Sequence, residues 1–497
     1  MNLEHGSDPL RQWLAMFDSC RERGFAIQDS GTVTYGEMAA LSGRYLRAMQ
    51  SCGLVAGDRV ALQCEKCLEA IAVYLACLRG GFVLVPLNPG YTAAETEYFL
   101  LDAEPSLHVI SPGTIATAAQ TVTTVTLAGD GGGSLAAMAA SEPTPGKDCL
   151  SLDADTLAAL VYTSGTTGRA KGAMLTRGNL ASNADALCRE WRFEPTDVLL
   201  HCLPIYHVHG LFISLNTVIA AGASIVFRSR FEVADVLRWL PESTVLMGVP
   251  TYYTRLLGDE RCNNAATAHM RLFVSGSAPL LPQTHGEFAA RTGHRIVERY
   301  GMSETLINTT NPVAGERRPG TVGKPLDGIE LRLREPVDGI GVIEVRGPNV
   351  CHGYWRNAAK TAESFCDDGF FVTGDLGTFD DQGYLQIVGR ARDLIISGGF
   401  NIYPSEVEAE LDRLEGVLES AVVGTDDADL GEVVVAFIAL GERVAPPVEA
   451  IRSKLSERLA RYKIPRRFEF VKELPRNSMG KVQKAQLREQ LKPGPVP

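Results

Sequence analysis

The stretch Tyr162–Gly172, YTSGTTGRAKG, follows the apolar run LAALV (157–161) and leads into GAMLT (172–176). Three glycines, three threonines, a serine, an arginine and a lysine fall within eleven residues. Glycine lets backbone N–H groups approach an anion closely, hydroxyls add donors and Lys171 adds charge, so the composition points to a phosphate. The spacing does not fit G-x-x-x-x-G-K-[ST] at Gly165 and Lys171, and no helix opens directly behind the lysine. Because GAMLT reads as a second strand, the expectation is a hairpin that grips phosphate. The plainer alternative is a flexible surface turn.

On either side the chain keeps an α/β rhythm. Residues 1 to about 150 alternate helical segments such as TYGEMAALSGRYLRAMQSCG with short β-rich runs such as RVALQC and GFVLVPL. From residue 157 onward LAALVYT, VLMGVP, RLFVSG and HRIVERYG predict a second α/β sheet with ligand loops at its strand ends. Short strands separated by turns between Gly320 and Gly389 predict a small β-rich subdomain. From about residue 393 a strand pair and the helix VEAIRSKLSERLARY predict a small α+β domain, with Ser405 and Glu408 spaced as a capping box. The expected architecture is thus a large N-terminal α/β domain over 1–391, made of two α/β subdomains and the β-rich one, followed by a small mobile α+β domain over 392–497.

Composition excludes several classes of function. With 497 residues, 45% hydrophobic and 22% charged, the chain suits a multi-domain globular protein. A net charge of -11 argues against an extended nucleic-acid surface. No apolar run is long enough to span a bilayer, and the N-terminus MNLEHGSDPLRQWL reads as neither a secretory signal nor a transit peptide, which predicts a cytoplasmic protein. The eleven cysteines are scattered in apolar surroundings, which predicts reduced thiols. Cys64 and Cys67, in CEKC, have half the spacing of a zinc site but no second pair, and their helical flank predicts helix cysteines without a job.

YTSGTTGRAKG, ERYGMSET, FVTGD, GRARDLIISGGFNIYPSEVE and PRNSMGKVQK stand in the order found in the adenylate-forming superfamily of acyl-CoA synthetases, luciferases and adenylation domains, which the chain resembles over nearly its whole length. The resemblance implies a reaction in which a carboxylate attacks the α-phosphorus of ATP, pyrophosphate leaves, and a thiol such as that of CoA displaces AMP. It implies that Thr163, Ser164, Thr166, Thr167 and Lys171 contact the departing phosphates, that Ser303 lies near the α-phosphate and that Glu304 holds Mg2+. Asp375 would take the ribose hydroxyls with Arg390 beside it, while Tyr300 and Gly276, Ser277 and Ala278 flank adenine. Lys481 matches the family's mobile adenylation lysine, Arg392 its hinge and Gly399 the loop along the pantetheine path.

LPIYHVHGL, MGVPTYYTRLL, VSGSAPL and VERYGMSETLINTTNP most resemble malonyl-CoA synthetases. That implies malonate as the acid, extended to methylmalonate or another small substituted malonate, with Arg299 anchoring the distal carboxylate. A structural pairing of Arg299 with Glu298 is the competing reading. Arg255 is a second candidate anchor, and Ser277 and Met302 would border a short pocket. His207, placed with Lys481 among the catalytic positions, matches a residue gating the acyl pocket, whereas His209 is expected to pack. The rivals are a fatty or aryl acyl-CoA synthetase, an adenylation enzyme that loads a carrier protein, and a non-catalytic nucleotide-binding homologue. Acylation of Lys481 would remove the charge that adenylation needs, which names a lysine acyltransferase as a regulatory partner.

Overall fold

Short, wholly apolar strands such as VLMG (245–248) and LFVS (272–275) are buried along their entire length, as strands of a parallel sheet covered on both faces must be. In the computed structural model they lie in a nine-stranded sheet. Its central strands, from Gly24–Gln28 through Ser224–Phe227, Val198–His201, Val245–Gly248 and Leu272–Ser275 to Val297–Met302, pair in parallel. Antiparallel strands close both edges. A six-stranded sheet runs in the order Thr123–Thr126, Leu107–Ile110, Arg59–Gln63, Val83–Pro86, Leu157–Thr163, Lys171–Thr176. It is parallel except for its last pair. The structure describes residues 8, 10–114, 122–142, 149–163, 170–398, 400–427, 430–441, 444–477 and 481–491. None of its described helices is long and apolar enough to cross a membrane.

Two compact units are resolved: Met1–Glu330 with Val345–Phe371, and Leu331–Glu344 with Val372–Pro497. Both large sheets belong to the first. In the second, strands Phe400–Ile402, Ile395–Ser397, Gly431–Ala439, Glu419–Asp427 and Arg467–Val471 form one sheet. Helices Pro404–Leu411 and Val448–Ser456 cover one face through Val407, Leu411, Ile451 and Leu455. Helix Lys484–Leu491 places Leu487 against Ala421, Val423 and Phe437 on the other. A four-stranded sheet, Glu330–Val337, Ile340–Arg346, Phe371–Phe379 and Leu385–Arg390, accounts for the β-rich subdomain. The contact division falls within this sheet, not at the 391/392 boundary expected from the sequence.

Two local expectations change. Pro404 occupies the first position of its helix and Tyr403 the cap, so Ser405 caps nothing. Its hydroxyl donates to the Val388 carbonyl, while Glu408 accepts the Val422 N–H at 2.7 Å and pairs with Lys484. Cys64 and Cys67 sit outside any helix, in the connection between strand Arg59–Gln63 and helix Leu68–Gly80, which Cys67 caps.

Candidate active site

Strands Leu157–Thr163 and Lys171–Thr176 form the expected hairpin, with Thr163 opposite Lys171. Ser164, Thr166 and Thr167 lie outside the described residues. The Thr163 hydroxyl donates to Glu304 Oε1 at 3.0 Å, and the Tyr354 hydroxyl donates to the same oxygen at 3.1 Å. Glu304 is buried in the turn between Val297–Met302 and Leu306–Thr310, beside half-buried Ser303. Lys171 has its pKa lowered by burial and by neighbouring Lys360, with Glu363 and Glu304 opposing. Its Nζ is 6.0 Å from the centre of the Tyr354 ring. The glycine-rich hairpin and the ERYGMSET segment therefore meet at one buried carboxylate with a cation near it.

A second cluster lies at the carboxyl ends of the parallel strands. Arg299 is buried, and its Nε and Nη2 have no hydrogen-bond partner among the described residues. Burial pushes its pKa down to about 9, with Tyr253 opposing. Its guanidinium lies over Gly276, where a Cβ would come within 2.4 Å of Cζ. Ser277 follows with φ +72°, a left-handed conformation in which a non-glycine residue is strained. Its hydroxyl is 3.3 Å from Nδ1 of buried His209, whose Nε2 has no hydrogen-bond partner among the described residues. Burial, with Arg299, His201 and His207 adding, holds His209 well below the usual imidazole range, so the ring is neutral. Glu298 does not satisfy Arg299. It lies 3.4 Å from His285 Nδ1 and accepts the Gly320 N–H at 3.3 Å.

Other expected residues are placed less tightly. His207 is half-buried with its ring centre 4.5 Å from that of Tyr206, and it contributes to the charge environment of His209. Tyr300 is buried, while Ala278 and Met302 are half-buried. Gly301 sits at a β-bulge after Tyr300, where a Cβ would be 1.7 Å from the Leu306 carbonyl oxygen. Arg255 is exposed on helix Pro250–Leu257, which turns Tyr253 and Leu256 inward instead. His209, expected to pack, is buried and also lies beside Ser277; no local pattern separates it from His207.

In the second unit, Asp375 is buried and paired through Oδ1 with Arg390 Nε at 2.7 Å. The two residues stand opposite each other on adjacent strands, and the Thr373 hydroxyl accepts the Asp375 N–H at 3.0 Å. Arg392 is exposed in the short turn Ala391–Asp393. Lys481 is exposed, its N–H donating to Asn477 Oδ1 at 2.9 Å. Gly399 lies outside the described residues.

The chain as a whole matches known families and structures. The family described as AMP-binding enzyme matches residues 16–355, and the one described as AMP-binding enzyme C-terminal domain matches residues 406–481. A probable CoA ligase of Humulus lupulus is 38% identical over 67% of this chain, which spans 61% of that protein. A malonate–CoA ligase of Arabidopsis thaliana is 33% identical over 90% of this chain and 80% of its own. The crystal structure of ATP-bound MatB from Rhodopseudomonas palustris is 47% identical, with TM-score 0.94 over 98% of this chain and 99% of that one. Relatives of comparable identity are named for sulfonated, long-chain and aryl acids, so likeness alone does not choose the acid.

Proposed function

Because this chain belongs to the AMP-binding enzyme family and is an AMP-forming acid–thiol ligase using ATP and CoA, we propose that its acid is malonate, and that small substituted malonates share the pocket. Arg299 carries this reading. A buried guanidinium with two nitrogens unsatisfied among the described residues costs several kcal/mol, so the observed state makes sense if a ligand's anion completes it. Neutral His209 and the Ser277 hydroxyl stand beside it and offer further hydrogen bonds to a carboxylate without adding charge. A malonate bound by one carboxylate at Arg299 keeps its second free to react. A fatty or aryl acid would leave both guanidinium nitrogens unsatisfied.

In the reaction, a carboxylate oxygen attacks the α-phosphorus of ATP. The new P–O bond gives malonyl-adenylate, and the bond to pyrophosphate breaks. The CoA thiolate then attacks the acyl carbon and AMP leaves, its thiol proton having gone to solvent. The carboxylate is already ionised near neutral pH, so the protein's task is placement and charge neutralisation. Lys171 and the Thr163 hairpin are assigned to the departing phosphates, Ser303 to the α-phosphate, and Asp375 with Arg390 to the ribose. Glu304 fits a magnesium site, since hard cations of this size are bound by one or two carboxylates together with substrate phosphates. Its Oε1 accepts both hydroxyls, and the carboxylate would hold the ion. Magnesium held there would supply positive charge to the phosphate oxygens.

Lys481 is assigned to adenylation, Arg392 to the hinge and the 392–497 segment to the mobile domain; an exposed Lys481 is also open to acylation, which mass spectrometry of the cellular protein would reveal. The substrate reading is tested by pyrophosphate release and acyl-CoA formation with malonate, methylmalonate, acetate, octanoate and coumarate. Malonate or methylmalonate foremost is the expected result. Octanoate or coumarate foremost would discard the substrate while leaving the adenylation chemistry in place.

A further inference from the structure

Lys66 plays no part in the chemistry above, yet its environment is unusual. It lies in the connection after strand Arg59–Gln63 of the six-stranded sheet, and its Nζ reaches the carboxyl ends of two strands of the nine-stranded one. There it meets His201 Nδ1 at 2.8 Å, the His201 carbonyl at 2.8 Å and the Arg228 carbonyl at 2.6 Å. The Phe227 ring lies 4.7 Å away. Among the described residues no carboxylate forms an ion pair with it, and Arg228, whose carbonyl it meets, pairs through its guanidinium with Asp29 and Asp235. Burial lowers the Lys66 pKa to about 7, with Arg228 adding to the shift and the Cys202 thiol opposing it.

Hydrogen counting then fixes the imidazole. The Gly210 carbonyl can only accept, so the ring nitrogen that faces it, Nε2, bears the hydrogen and Nδ1 accepts from Lys66 Nζ. Burial, with Lys66 adding, holds the His201 pKa near 3, so the ring is neutral and its single hydrogen is on Nε2. That hydrogen faces the Gly210 carbonyl at 2.9 Å.

Gly210 is the second residue of the wide helical turn His209–Leu215, in which backbone bonds run from i to i+5. Two of its carbonyls also take side-chain donors. The Ser214 hydroxyl donates to the His209 carbonyl at 2.7 Å, and His201 takes that of Gly210. Gly210 is also held close to the chain before it, since a Cβ there would be 2.0 Å from the Pro204 carbonyl oxygen. The turn so fixed begins with His209, the residue beside Arg299 and Ser277.

We propose that Lys66 and His201 are positioning residues for the acid. By donating to Nδ1, Lys66 supports the tautomer of His201 whose hydrogen is on Nε2, and His201 thereby fastens the turn that presents His209 to the bound carboxylate. This rests on the reading of the Arg299 and His209 cluster as the acid pocket.

The test uses the full-length enzyme and whichever of the five acids above it turns over fastest, so an error in the malonate assignment leaves it intact. Lys66→Met should raise KM for the acid about tenfold while kcat and KM for ATP stay within about twofold. His201→Asn, which cannot reach Gly210, should do the same with Lys66 present, and serves in place of Lys66→Met if that variant does not fold. His201→Gln carries its own amide donor to Gly210, so adding Lys66→Met to it should cost nothing further. Equal losses in acid KM, ATP KM and kcat would overturn the proposal, as would an undiminished Lys66→Met effect in the His201→Gln background. Arg299→Met separates the two claims. If it leaves acid KM unchanged, the pocket itself is misassigned; if it raises acid KM while Lys66→Met and His201→Asn do not, only the positioning role fails.

Discussion

The guanidinium of Arg299 lies directly over Gly276, with the room a Cβ would need already filled by Cζ and Nε, each 2.4 Å from where it would stand. The glycine is thus a seat for the arginine. Gly276→Ala should displace the guanidinium and raise KM for malonate at least about tenfold, since small misplacements at such contacts are costly. KM for ATP should change far less. Steady-state kinetics with each substrate varied in turn checks this, and an unchanged malonate KM would mean the guanidinium tolerates the shift.

Arg299→Met should trade stability against function. Replacing an unpaired buried cation with an apolar chain of similar length should leave the folded state unharmed or stabilise it by about 1–4 kcal/mol. The same change should abolish preference for malonate over a monocarboxylate of similar size. Urea unfolding and paired kcat/KM measurements read the two effects separately; a destabilised variant with uniform loss would make Arg299 structural.

Lys481→Ala should divide the reaction in two. Adenylate formation from malonate and ATP should fall by about 10²-fold or more, because a charge acting on the reacting groups is lost. Thioester formation from supplied malonyl-adenylate and CoA should persist. Equal loss of both half-reactions, measured in single turnovers, would remove its assignment to the first.

Acid should destabilise the first unit through its buried imidazoles. Burial holds His201 near 3 and His108 near 4, and lowers His209 as well. Between these values and the unfolded value near 6.5 the unfolded chain binds protons that the folded one refuses. Stability therefore falls as pH drops below 6.5, by about 1.4 kcal/mol per pH unit for each imidazole. His108, whose Nε2 is 3.1 Å from Gln63 Oε1, lies outside the acid pocket. His108→Gln should flatten the slope by one proton, as denaturant titrations from pH 4.5 to 7.5 would show.

What the sequence made legible was what is local. Alternating apolar runs marked the strands, and a glycine-rich segment between two of them marked the hairpin. Arg299 was a visible candidate, and its pairing with Glu298 could have been dismissed on geometry, since consecutive strand residues face opposite sides of a sheet. The exposure of Arg255 was not legible, because helix periodicity alone does not say which face turns inward; Tyr253 and Leu256 take the buried side. The capping box at Ser405 lost to Pro404, whose fixed φ suits the first helical position. Lys66 gave no signal because its His201 partner lies 135 residues away and its Arg228 partner 162.

The seam between the two large sheets bears on how the enzyme could be rebuilt for other acids. Arg299, Ser277 and His209 belong to the stretch that forms the nine-stranded sheet, whereas the phosphate hairpin edges the six-stranded one. A transplant of residues 200–302 from a relative with another preference would exchange the acid end and leave the triphosphate grip native. Position 66 lies outside that segment yet supports it, so a donor lacking lysine there would arrive with His201 unanchored. The graft would have to carry its own residue 66.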